Sequence, residues 1–333
     1  MSMRSFDYDL PAEAIAQTPV EPRDAARLLV ATDEGGTVAH MRVSDLPELL
    51  DDGDVLVVNE TRVLPARLHL QKPTGGAVEV LLLEPRDEAG TWEALVRPSR
   101  RLAAGTMLHA GDDLDVEVGE RLADGRRAVR LHTGDPMAAL AAHGEAPLPP
   151  YIHAPLADSE RYQTVYAAKA GSVAAPTAGL HLTDDVLARC RARGIEVSKV
   201  DLAVGLDTFR PVTAERAEEH QIHSERYRVP RETLDACQKA NRVVAVGTTT
   251  VRALESAAGG RLEGRTSLFI HGDYDFQVVD VLLTNFHLPR SSLLLLLASF
   301  AGDRWRGLYE AALAEGYRFL SFGDAMLISR RVA

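Results

Sequence analysis

The sequence predicts an α/β protein, with a main domain built on a distorted mixed sheet or open barrel with peripheral helices, and a smaller inserted β-barrel domain. Apolar strand patterns alternate with helix patterns near both ends of the chain, which is typical of α/β proteins. Strands outnumber helices, so a regular doubly wound sheet is not expected. Short alternating segments fill the middle. We therefore expect residues 1–64 and 151–333 to form the main domain and residues 65–150 to form the inserted one.

The first strong strand pattern is the apolar segment of residues 54–58. It runs directly into polar side chains at Asn59, Thr61 and Arg62. Polar residues that follow the carboxyl end of a strand are typical of binding sites in α/β proteins. We therefore expect these three side chains to line a ligand cleft.

The middle of the chain changes to short segments of alternating polar and apolar residues, separated by glycines. Such segments at close spacing predict a small barrel or sandwich. The predicted strands lie at residues 77–83, 91–96, 107–118 and 127–132. A proline-rich stretch at residues 147–150 marks the end of this module.

After residue 151 the chain returns to an α/β pattern. Thr183 precedes two aspartates and a helix pattern that runs to Gly194, so we expect Thr183 to cap that helix. Apolar segments predict strands at residues 196–204, 226–229, 243–246, 267–270 and 278–283. Helices are predicted at residues 292–300 and 305–314.

The strand predicted at residues 243–246 passes through Gly247 into a helix pattern. Thr248 and Thr249 are predicted to cap that helix. A helix that begins at such a turn presents free N–H groups and the positive end of its dipole, and Arg252 adds a charge nearby. We interpret this stretch as a site for a carboxylate or phosphate. The alternative is an ordinary strand–glycine–helix connection with a surface arginine.

The bulk composition is that of an ordinary globular protein, with 46% hydrophobic and 26% charged residues in a chain of 333. The two cysteines cannot form a disulfide framework. The sequence contains neither a signal-peptide core nor an apolar segment long enough for a membrane span. We therefore expect a cytoplasmic protein without a membrane partner.

The formal net charge of −11 argues against a large surface for non-specific nucleic-acid binding. An RNA partner would need a local basic face, for which Arg97, Arg100 and Arg101 in the middle module are candidates. A second basic cluster at Arg189, Arg191, Arg193 and Lys199 is better explained as a solvated face, since basic residues late in a helix favour its C-terminal end.

His220 and His223 stand among glutamates and could be mistaken for metal ligands. No third and fourth ligand follow at a suitable spacing, so a solvated face is the better interpretation and no metal site is expected. The sequence also has no nucleophile elbow and no Walker sequence. These observations favour chemistry that relies on positioning and proton transfer.

Several other polar residues follow turns and are candidates for a site. His181 comes after a Pro-Thr-Ala-Gly turn, where it would act as a ligand or base, or cap the next helix. Asn285 would contact an adenine or ribose edge, whereas His287 on its own pattern is better explained as a core histidine. Glu225 and Asp324 are each compatible with a functional role and with a structural salt bridge.

Five long polar motifs occur along the chain, at residues 59–67, 174–181, 204–212, 242–258 and 284–292. In their order and spacing they resemble the S-adenosylmethionine:tRNA ribosyltransferase-isomerase family of the queuosine pathway. The resemblance extends nearly from end to end, from residues 6–11 to residues 317–326.

The resemblance implies a fold and a reaction. Family members carry a smaller β-barrel domain on an α/β domain of barrel-like character. They transfer and isomerise the ribosyl part of S-adenosylmethionine onto 7-aminomethyl-7-deazaguanine in tRNA, giving epoxyqueuosine while adenine and methionine leave. S-adenosylmethionine is then a consumed substrate, and no further cofactor is expected. The implied partners are S-adenosylmethionine and the modified tRNA, and we expect a monomer.

The resemblance also suggests roles for individual residues. Proton transfer is assigned to His181, His223 and Glu225. Arg97 and Arg100 are expected to contact tRNA phosphates. Substrate binding is assigned to Asn59, Thr61, Arg62, Thr177, Gly179, Gly205, Thr208, Gly247, Thr248, Thr249, Arg252, Asn285, His287 and Asp324.

Two positions depart from the family pattern Leu-His-Val-Gly-x-Gly-Thr-Phe. This chain has Ala203 in place of the histidine and Asp207 in place of the second glycine. A glycine beside a ligand often marks close approach of the backbone, so Asp207 would reshape or recharge the pocket. Two alternatives therefore stay open: a paralogue that uses S-adenosylmethionine with a small acceptor or none, and a non-catalytic ligand-binding relative.

Overall fold

The structure, a computed structural model, describes residues 1–32, 38–100, 102–205, 212–220, 222 and 224–331. Strands are numbered in chain order within these ranges. They are β1 Arg27–Ala31, β2 Ala39–Arg42, β3 Val55–Asn59, β4 Thr61–Val63, β5 Arg67–Gln71, β6 Ala77–Pro85, β7 Thr91–Arg97, β8 Thr106–Ala110, β9 Leu114–Arg121, β10 Arg127–His132, β11 Gly144–Glu145, β12 Lys169–Ser172, β13 Glu196–Leu202, β14 Glu225–Arg228, β15 Val243–Val246, β16 Glu263–Thr266, β17 Val281–Asn285 and β18 Ala325–Ser329.

The α-helices in the described ranges are α1 Leu46–Leu49, α2 Pro136–His143, α3 Asp184–Ala192, α4 Arg231–Lys239, α5 Thr248–Ala257, α6 Ser292–Ala301 and α7 Arg304–Ala314. Short 3-10 helices span Met3–Phe6, Ala12–Ala14, Arg23–Ala25, Val43–Asp45, Ala123–Gly125, Ser159–Tyr162, Thr177–His181 and Ala217–Glu219. The predicted cap of α3 is confirmed, since the Thr183 hydroxyl accepts a hydrogen bond from the Val186 N–H at 3.2 Å.

The described residues divide into two compact units. The larger unit contains Met1–Arg62, Pro149–Lys169 and Ala175–Ala333, and the smaller one contains Val63–Leu148 and Ala170–Ala174. Each unit has a sheet of its own.

The larger unit is built on a nine-stranded mixed sheet in the order β16-β14-β13-β3-β15-β17-β18-β1-β2. The four central strands β13, β3, β15 and β17 run parallel to one another. β18 lies antiparallel to β17 and parallel to β1, and β14 lies antiparallel to β13. The carboxyl ends of the four parallel strands therefore meet at one edge, where ligands bind in α/β sheets.

Burial of the central strands explains their sequence. β3, β15 and β17 are buried at every position, and such strands read as continuous apolar runs because both faces are covered. One face of these strands forms a core with residues of α1 and α3, among them Leu56, Val246, Leu46 and Leu187. Helix α5 packs against the same central strands and contributes a second buried layer.

The smaller unit contains a six-stranded barrel in the order β5-β6-β7-β10-β9-β8. The pairing of Gln71 with His109 closes it by joining β8 to β5, and β11 extends the sheet beyond β5. β9 alternates buried and partly exposed positions, which is the pattern expected of a barrel wall. The prediction of a mixed α/β sheet with a smaller β-barrel is thus confirmed.

Two predicted strands are displaced, and side chains explain both. Residues 267–270 do not form a strand; the ladder ends with β16 at Thr266. The Leu268 N–H donates to the Thr266 hydroxyl at 3.1 Å, and the Leu268 carbonyl accepts from Arg252 Nε at 3.0 Å. These bonds use backbone groups that a strand would need for its ladder.

The strand predicted at residues 278–283 begins instead at Val281. The backbone N–H groups of Val278 and Val279 both donate to Glu255 Oε1, each at 3.1 Å. A buried carboxylate on α5 therefore replaces the neighbouring strand as the partner of this segment.

Candidate functional site

Most of the polar residues predicted to bind a ligand lie at the carboxyl ends of the four parallel strands. Asn59 ends β3, Gly247 follows β15, Asn285 ends β17, and Gly205 follows β13. These strands are neighbours in the sheet, so the four segments lie side by side although they are far apart in the sequence. The sheet thus assembles one site from four separate motifs.

A cavity of about 340 Å³ opens at this edge. The lining residues are Ala175, Pro176, Thr177, Ala178, Val204, Gly247, Thr248, Thr249, Thr284, Asn285, His287 and Leu293. A second cavity of about 310 Å³ shares Thr177, Asn285, His287 and Leu293 with it. These four residues form a common wall between the two cavities.

The amino end of α5 forms one side of the first cavity. Gly247 precedes the helix with a φ of 87°, a left-handed conformation that favours glycine. Thr248 and Thr249 do not cap the helix; they form its first turn, and no side chain accepts a hydrogen bond at the N-cap position. The first N–H groups of α5 are therefore left without helical partners and, with the positive end of the helix dipole, suit an anion.

Three side chains of the common wall and the adjoining turn form a hydrogen-bonded chain. The Thr177 hydroxyl donates to Asn285 Oδ1 at 2.9 Å. Since Oδ1 is the acceptor of this bond, the Asn285 Nδ2–H group donates to His181 Nε2 at 3.0 Å. His181 Nε2 is then unprotonated, and the imidazole carries its proton on Nδ1.

His181 is held in its neutral form. It is buried within the 3-10 helix Thr177–His181. Burial lowers its pKa to about 4, and the positive charges of Arg318, Arg161 and Arg23 act in the same direction. The imidazole thus stays neutral at physiological pH and keeps an acceptor nitrogen at Nε2.

His287 is a second neutral histidine at the site, and burial lowers its pKa to about 3. Its Nε2 lies 3.1 Å from the Thr284 hydroxyl. Two tyrosines fix its backbone: its N–H donates to the Tyr309 hydroxyl at 2.8 Å, and its carbonyl accepts from the Tyr8 hydroxyl. The side chain lines both cavities, so a ligand in either one would meet it.

Glu225 and Arg252 form a buried ion pair. The second carboxylate oxygen of Glu225 accepts the Gly205 N–H at 2.8 Å, and Arg252 Nε donates to the Leu268 carbonyl at 3.0 Å. Arg252 does not line the cavity beside the amino end of α5. Its anion-binding role stays a prediction, and a ligand anion would have to replace Glu225 or share the guanidinium with it.

The three residues predicted after β3 differ in their surroundings. Asn59 is fully buried, and its amide exchanges two hydrogen bonds with the backbone of Leu202, at 3.0 and 3.1 Å. Thr61 is buried, and within the described ranges its hydroxyl has no hydrogen-bond partner. Arg62 is partly exposed and forms an ion pair with Glu160 at 2.5 Å. Asn59 therefore joins β3 to β13, and a ligand contact of all three stays a prediction.

Asp324 lies at the same edge, immediately before β18. Its Oδ1 accepts the Arg27 N–H at 2.9 Å and its Oδ2 accepts the Arg318 N–H at 2.8 Å. The carboxylate therefore ties β1 and the segment before β18 together. This geometry favours a positioning role over direct contact with a substrate.

A family model described as queuosine biosynthesis protein matches residues 3–328, which is nearly the whole chain. The chain belongs to this family. It is similar to S-adenosylmethionine:tRNA ribosyltransferase-isomerases from Rubrobacter xylanophilus, with 52% identity over 330 residues and 98% of each chain covered. The relative of the same name from Thermus thermophilus is 53% identical over 348 residues, with 98% of this chain and 99% of the relative covered.

A solved structure shares the fold of this queuosine biosynthesis family member. It is the crystal structure of the S-adenosylmethionine tRNA ribosyltransferase from Thermotoga maritima, with 37% sequence identity and a TM-score of 0.55. The match covers 97% of this chain and 99% of that chain.

Several of the family-derived assignments do not line either cavity, among them His181, Gly205, Glu225 and Asp324. Thr208 and His223 lie outside the described residues, as do Asp207 and Arg101. Arg97 and Arg100 are exposed residues of the smaller unit, at and just after the end of β7.

Gly179 contributes space and not a contact. A side-chain carbon at this position would lie 2.0 Å from the Tyr166 hydroxyl and 3.0 Å from Thr164 Cγ2. Only glycine therefore lets the helix that carries His181 pack against these two side chains.

Sequence reasoning missed the residues that hold the segments of His181 and His287 in place and some that line the second cavity. Tyr8, Tyr309 and Tyr166 hold or shape the two histidine segments, and Tyr151 and Ser321 line the second cavity. Tyr8 belongs to the first segment of the resemblance, residues 6–11, and this position could have indicated its role from the sequence. Ser321 likewise lies in the last segment of the resemblance, residues 317–326, whereas Tyr151, Tyr166 and Tyr309 stand in segments without a distinctive pattern.

No group of three or more His, Cys, Asp or Glu side chains is placed to hold a metal ion in the part of the chain that the structure describes. None of the helices described for this family member has the length and hydropathy needed to span a bilayer.

Proposed function

We propose that the chain is an S-adenosylmethionine:tRNA ribosyltransferase-isomerase. It transfers and isomerises the ribosyl part of S-adenosylmethionine onto 7-aminomethyl-7-deazaguanine in tRNA, and releases adenine and methionine. The observation that carries this proposal is the similarity of about half of all residues, over 98% of both chains, to relatives that bear this name. The clustering of the polar motifs around one cavity supports it.

The reaction needs a group that holds the methionine carboxylate. The uncapped first turn of α5, at Gly247, Thr248 and Thr249, fits this task because these residues line the cavity, the first N–H groups of the helix have no helical partners, and the helix dipole favours a negative charge. The binding of one carboxylate requires no side-chain charge here.

The reaction also needs a base for the proton on the carbon beside the sulfonium. The neutral imidazole of His181 fits this role because its Nε2 is an acceptor. It would act by exchanging the hydrogen bond from Asn285 for one with the substrate. Glu225 is engaged by Arg252, and we assign it to shaping the Gly205 segment; His223 remains a further candidate base.

We assign the adenosine part of the substrate to the common wall formed by Thr177, Asn285 and His287. Amide and hydroxyl groups there offer donors and acceptors to an adenine or a ribose, and adenine leaves more easily if one of these groups donates to it. Asn59, Thr61 and Arg62 would bound the cleft on the β3 side.

Further parts of the proposal concern the whole chain. Residues 65–150 form the inserted domain, with Arg97 and Arg100 contacting tRNA phosphates. The protein acts as a cytoplasmic monomer, and it needs no cofactor besides its substrate S-adenosylmethionine.

The function is tested by following free adenine after mixing purified protein with S-adenosylmethionine, with and without tRNA that carries the aminomethyl-deazaguanine base. We expect adenine only when the modified tRNA is present. Adenine release without tRNA would instead favour a paralogue with a small acceptor or none. Binding of S-adenosylmethionine without any release would favour a non-catalytic relative, and Asp207→Gly would then test whether this departure blocks turnover.

A further inference from the structure

The turn between β17 and α6 places an arginine beside the second cavity. Asn285, at the end of β17, and Ser291, at the N-cap of α6, both line that cavity, and Arg290 lies directly before Ser291. Its side chain is half-buried. Arg290 is thus a charged residue of the motif at residues 284–292 that takes no part in the proposed binding of S-adenosylmethionine.

The backbone of Arg290 has a conformation that residues other than glycine rarely adopt. Its φ is 54°, in the left-handed region. Both backbone polar groups are engaged: the N–H donates to the Phe6 carbonyl at 2.9 Å, and the carbonyl accepts from the Val212 N–H at 2.8 Å. Glycine or asparagine would make the same bonds at a lower conformational cost. An arginine that is kept here against this cost is an indication that its side chain is used.

Backbone conformations of this kind are concentrated around the second cavity. In the described part of the chain, three residues other than glycine have a positive φ: Asp124, Arg290 and Leu320. Asp124 lies in a turn of the smaller unit, and aspartate tolerates this conformation. Leu320 lines the second cavity, and Arg290 adjoins Ser291, which lines it too. Such clustering of strained backbone is typical of ligand-binding sites.

The guanidinium group of Arg290 has no internal partner. Its Nε is buried, and within the described ranges the side chain forms neither a hydrogen bond nor an ion pair. Arg62 and Arg252 differ in this respect, since each pairs with a glutamate. A half-buried cation without a counter-charge is unfavourable, and the planar fork of N–H groups fits an anion with two acceptor oxygens. An external anion would satisfy the group.

Among the anionic groups in the proposed reaction, a phosphate of the tRNA fits Arg290 best. The methionine carboxylate is assigned to Gly247, Thr248 and Thr249 at the amino end of α5, which line the first cavity and not the second. The acceptor base carries an amine and no anionic group. The negative charges of its nucleotide are therefore those of the backbone phosphates on either side, and phosphate contacts position a nucleic acid without reading its sequence.

We propose that Arg290 binds a backbone phosphate beside the acceptor nucleotide of the tRNA, and so positions the modified base at the second cavity. This inference rests on the proposed function. The two cavities share Thr177, Asn285, His287 and Leu293, so the contact brings the acceptor base next to the adenosine part of S-adenosylmethionine. Because the backbone of Arg290 is already fixed from both sides, less conformational freedom is lost when the phosphate binds.

The test is Arg290→Gln, assayed for binding of the modified tRNA by filter retention over a series of salt concentrations. We expect the dissociation constant to rise about tenfold, and the slope of log K against log salt to fall in magnitude by about one. Calorimetric binding of S-adenosylmethionine without tRNA should stay unchanged. Arg290→Lys keeps the charge but not the planar fork, so it should retain the salt slope while the dissociation constant rises about threefold.

Arg290→Gly separates the role of the side chain from that of the backbone. Glycine adopts a φ of 54° without strain, so the melting temperature should not fall, whereas tRNA binding should weaken as much as in Arg290→Gln. Arg191→Gln is the matched control, since this exposed arginine on α3 loses the same charge away from the turn and should leave tRNA binding nearly unchanged.

Unaltered tRNA binding in both Arg290→Gln and Arg290→Gly would overturn the inference. Weaker binding of S-adenosylmethionine in these variants, with unaltered tRNA binding, would also overturn it and would assign the guanidinium to the methionine carboxylate. In either case, adenine release by the wild type with modified tRNA would leave the proposed function standing. A wild-type protein that binds no modified tRNA would remove the proposed function together with the inference.

Discussion

At the scale of single residues, the direction of each hydrogen bond determines the protonation of the site. The Thr177 hydroxyl must donate to Asn285, so the Asn285 amide must donate to His181. A threonine and an asparagine thereby fix the tautomer of the imidazole. Burial of His181 reinforces this arrangement, because it opposes the charged form.

We expect Asn285→Asp to raise the pKa of His181 from about 4 toward neutral values. A carboxylate in this place accepts instead of donating, and it stabilises an imidazolium across the 3.0 Å bond. The titration of His181 by NMR measures the shift. Adenine release should fall by roughly 10²-fold, because the acceptor nitrogen becomes protonated.

Asn285→Ala is the control for this experiment, since it removes the same bond without adding a charge. The pKa of His181 should then stay below its ordinary value of 6.5. An unchanged titration in Asn285→Asp would contradict the assigned hydrogen-bond direction.

Residues from separate motifs of the sequence meet at one cavity, since Thr177, Gly247, Asn285 and His287 all line it. Their roles in substrate binding stay predictions. The pairing of Arg252 with Glu225 could not be inferred, because it joins a helix to an edge strand and depends on the strand order. The hydrogen bonds from the backbone N–H groups of Arg27 and Arg318 to the Asp324 carboxylate could not be predicted for the same reason.

At the scale of secondary structure, α5 links the anion site to the stability of the sheet. Its first turn lines the cavity, and its carboxyl half carries Glu255, whose carboxylate accepts backbone N–H groups from three successive residues, 277–279. One helix thus serves binding at its amino end and structure near its carboxyl end.

We expect Thr248→Pro to weaken binding of S-adenosylmethionine about tenfold, as lost hydrogen bonds to a charged group cost roughly 1.5–3 kcal/mol. Proline is tolerated at the first position of a helix but has no N–H group to offer a carboxylate. Calorimetric titration with S-adenosylmethionine in the absence of tRNA measures the effect. Thr248→Ala retains the N–H group and should bind nearly as well as the wild type.

The substitution Glu255→Gln should destabilise the larger unit by roughly 1–3 kcal/mol, because an amide NH₂ group cannot accept the backbone N–H groups that one carboxylate oxygen now receives. Urea denaturation measures the free energy of unfolding. Glu263→Gln on the exposed edge strand is the matched control and should change it by less than about 0.5 kcal/mol. A stability loss as small as that of the control would show that the buried carboxylate is not needed.

The boundaries of α6 and α7 were predicted to within one residue, whereas strand boundaries were predictable only where the backbone pairs with another strand. The sequence patterns located β3 and β15 well, since β15 is apolar throughout and β3 is apolar up to its last residue, Asn59. β16 and β17 were displaced from the predicted positions, because Thr266, Arg252 and Glu255 take up the backbone groups of the neighbouring segments. Hydrogen bonds between side chains and backbone groups of this kind leave no trace in the hydrophobic periodicity of the sequence.

At the scale of the whole molecule, the two buried histidines make stability depend on pH. His181 and His287 have pKa values of about 4 and about 3 in the folded protein, below the ordinary value of 6.5. The unfolded chain therefore binds more protons than the native state between these values. Stability is fully present above pH 6.5 and falls as the pH drops through this window.

We expect this loss to amount to a few kcal/mol, at about 1.4 kcal/mol per pH unit for each histidine. The free energy of unfolding in urea at several pH values from neutral to about 4.5 measures it. His287→Gln should reduce the slope of the unfolding free energy against pH by the contribution of one histidine. An identical slope in the variant would mean that His287 titrates normally in the fold.

The overall architecture was accessible from the sequence because it depends on composition and local pattern. The change from apolar segments to short alternating ones predicted a mixed sheet and a separate barrel, and both are present. The order of the strands was not accessible. β18, at the end of the chain, lies between β17 and β1, and only long-range packing places it there.

The central claim is that S-adenosylmethionine binds at the carboxyl edge of the four parallel strands. A crystal structure of the protein with bound S-adenosylmethionine, without tRNA, tests it most directly. We expect the methionine carboxylate within hydrogen-bond distance of the N–H groups of Thr248 and Thr249, and the adenosine beside Asn285. A ligand bound in the barrel, or one whose carboxylate is held elsewhere than the first turn of α5, would contradict the account.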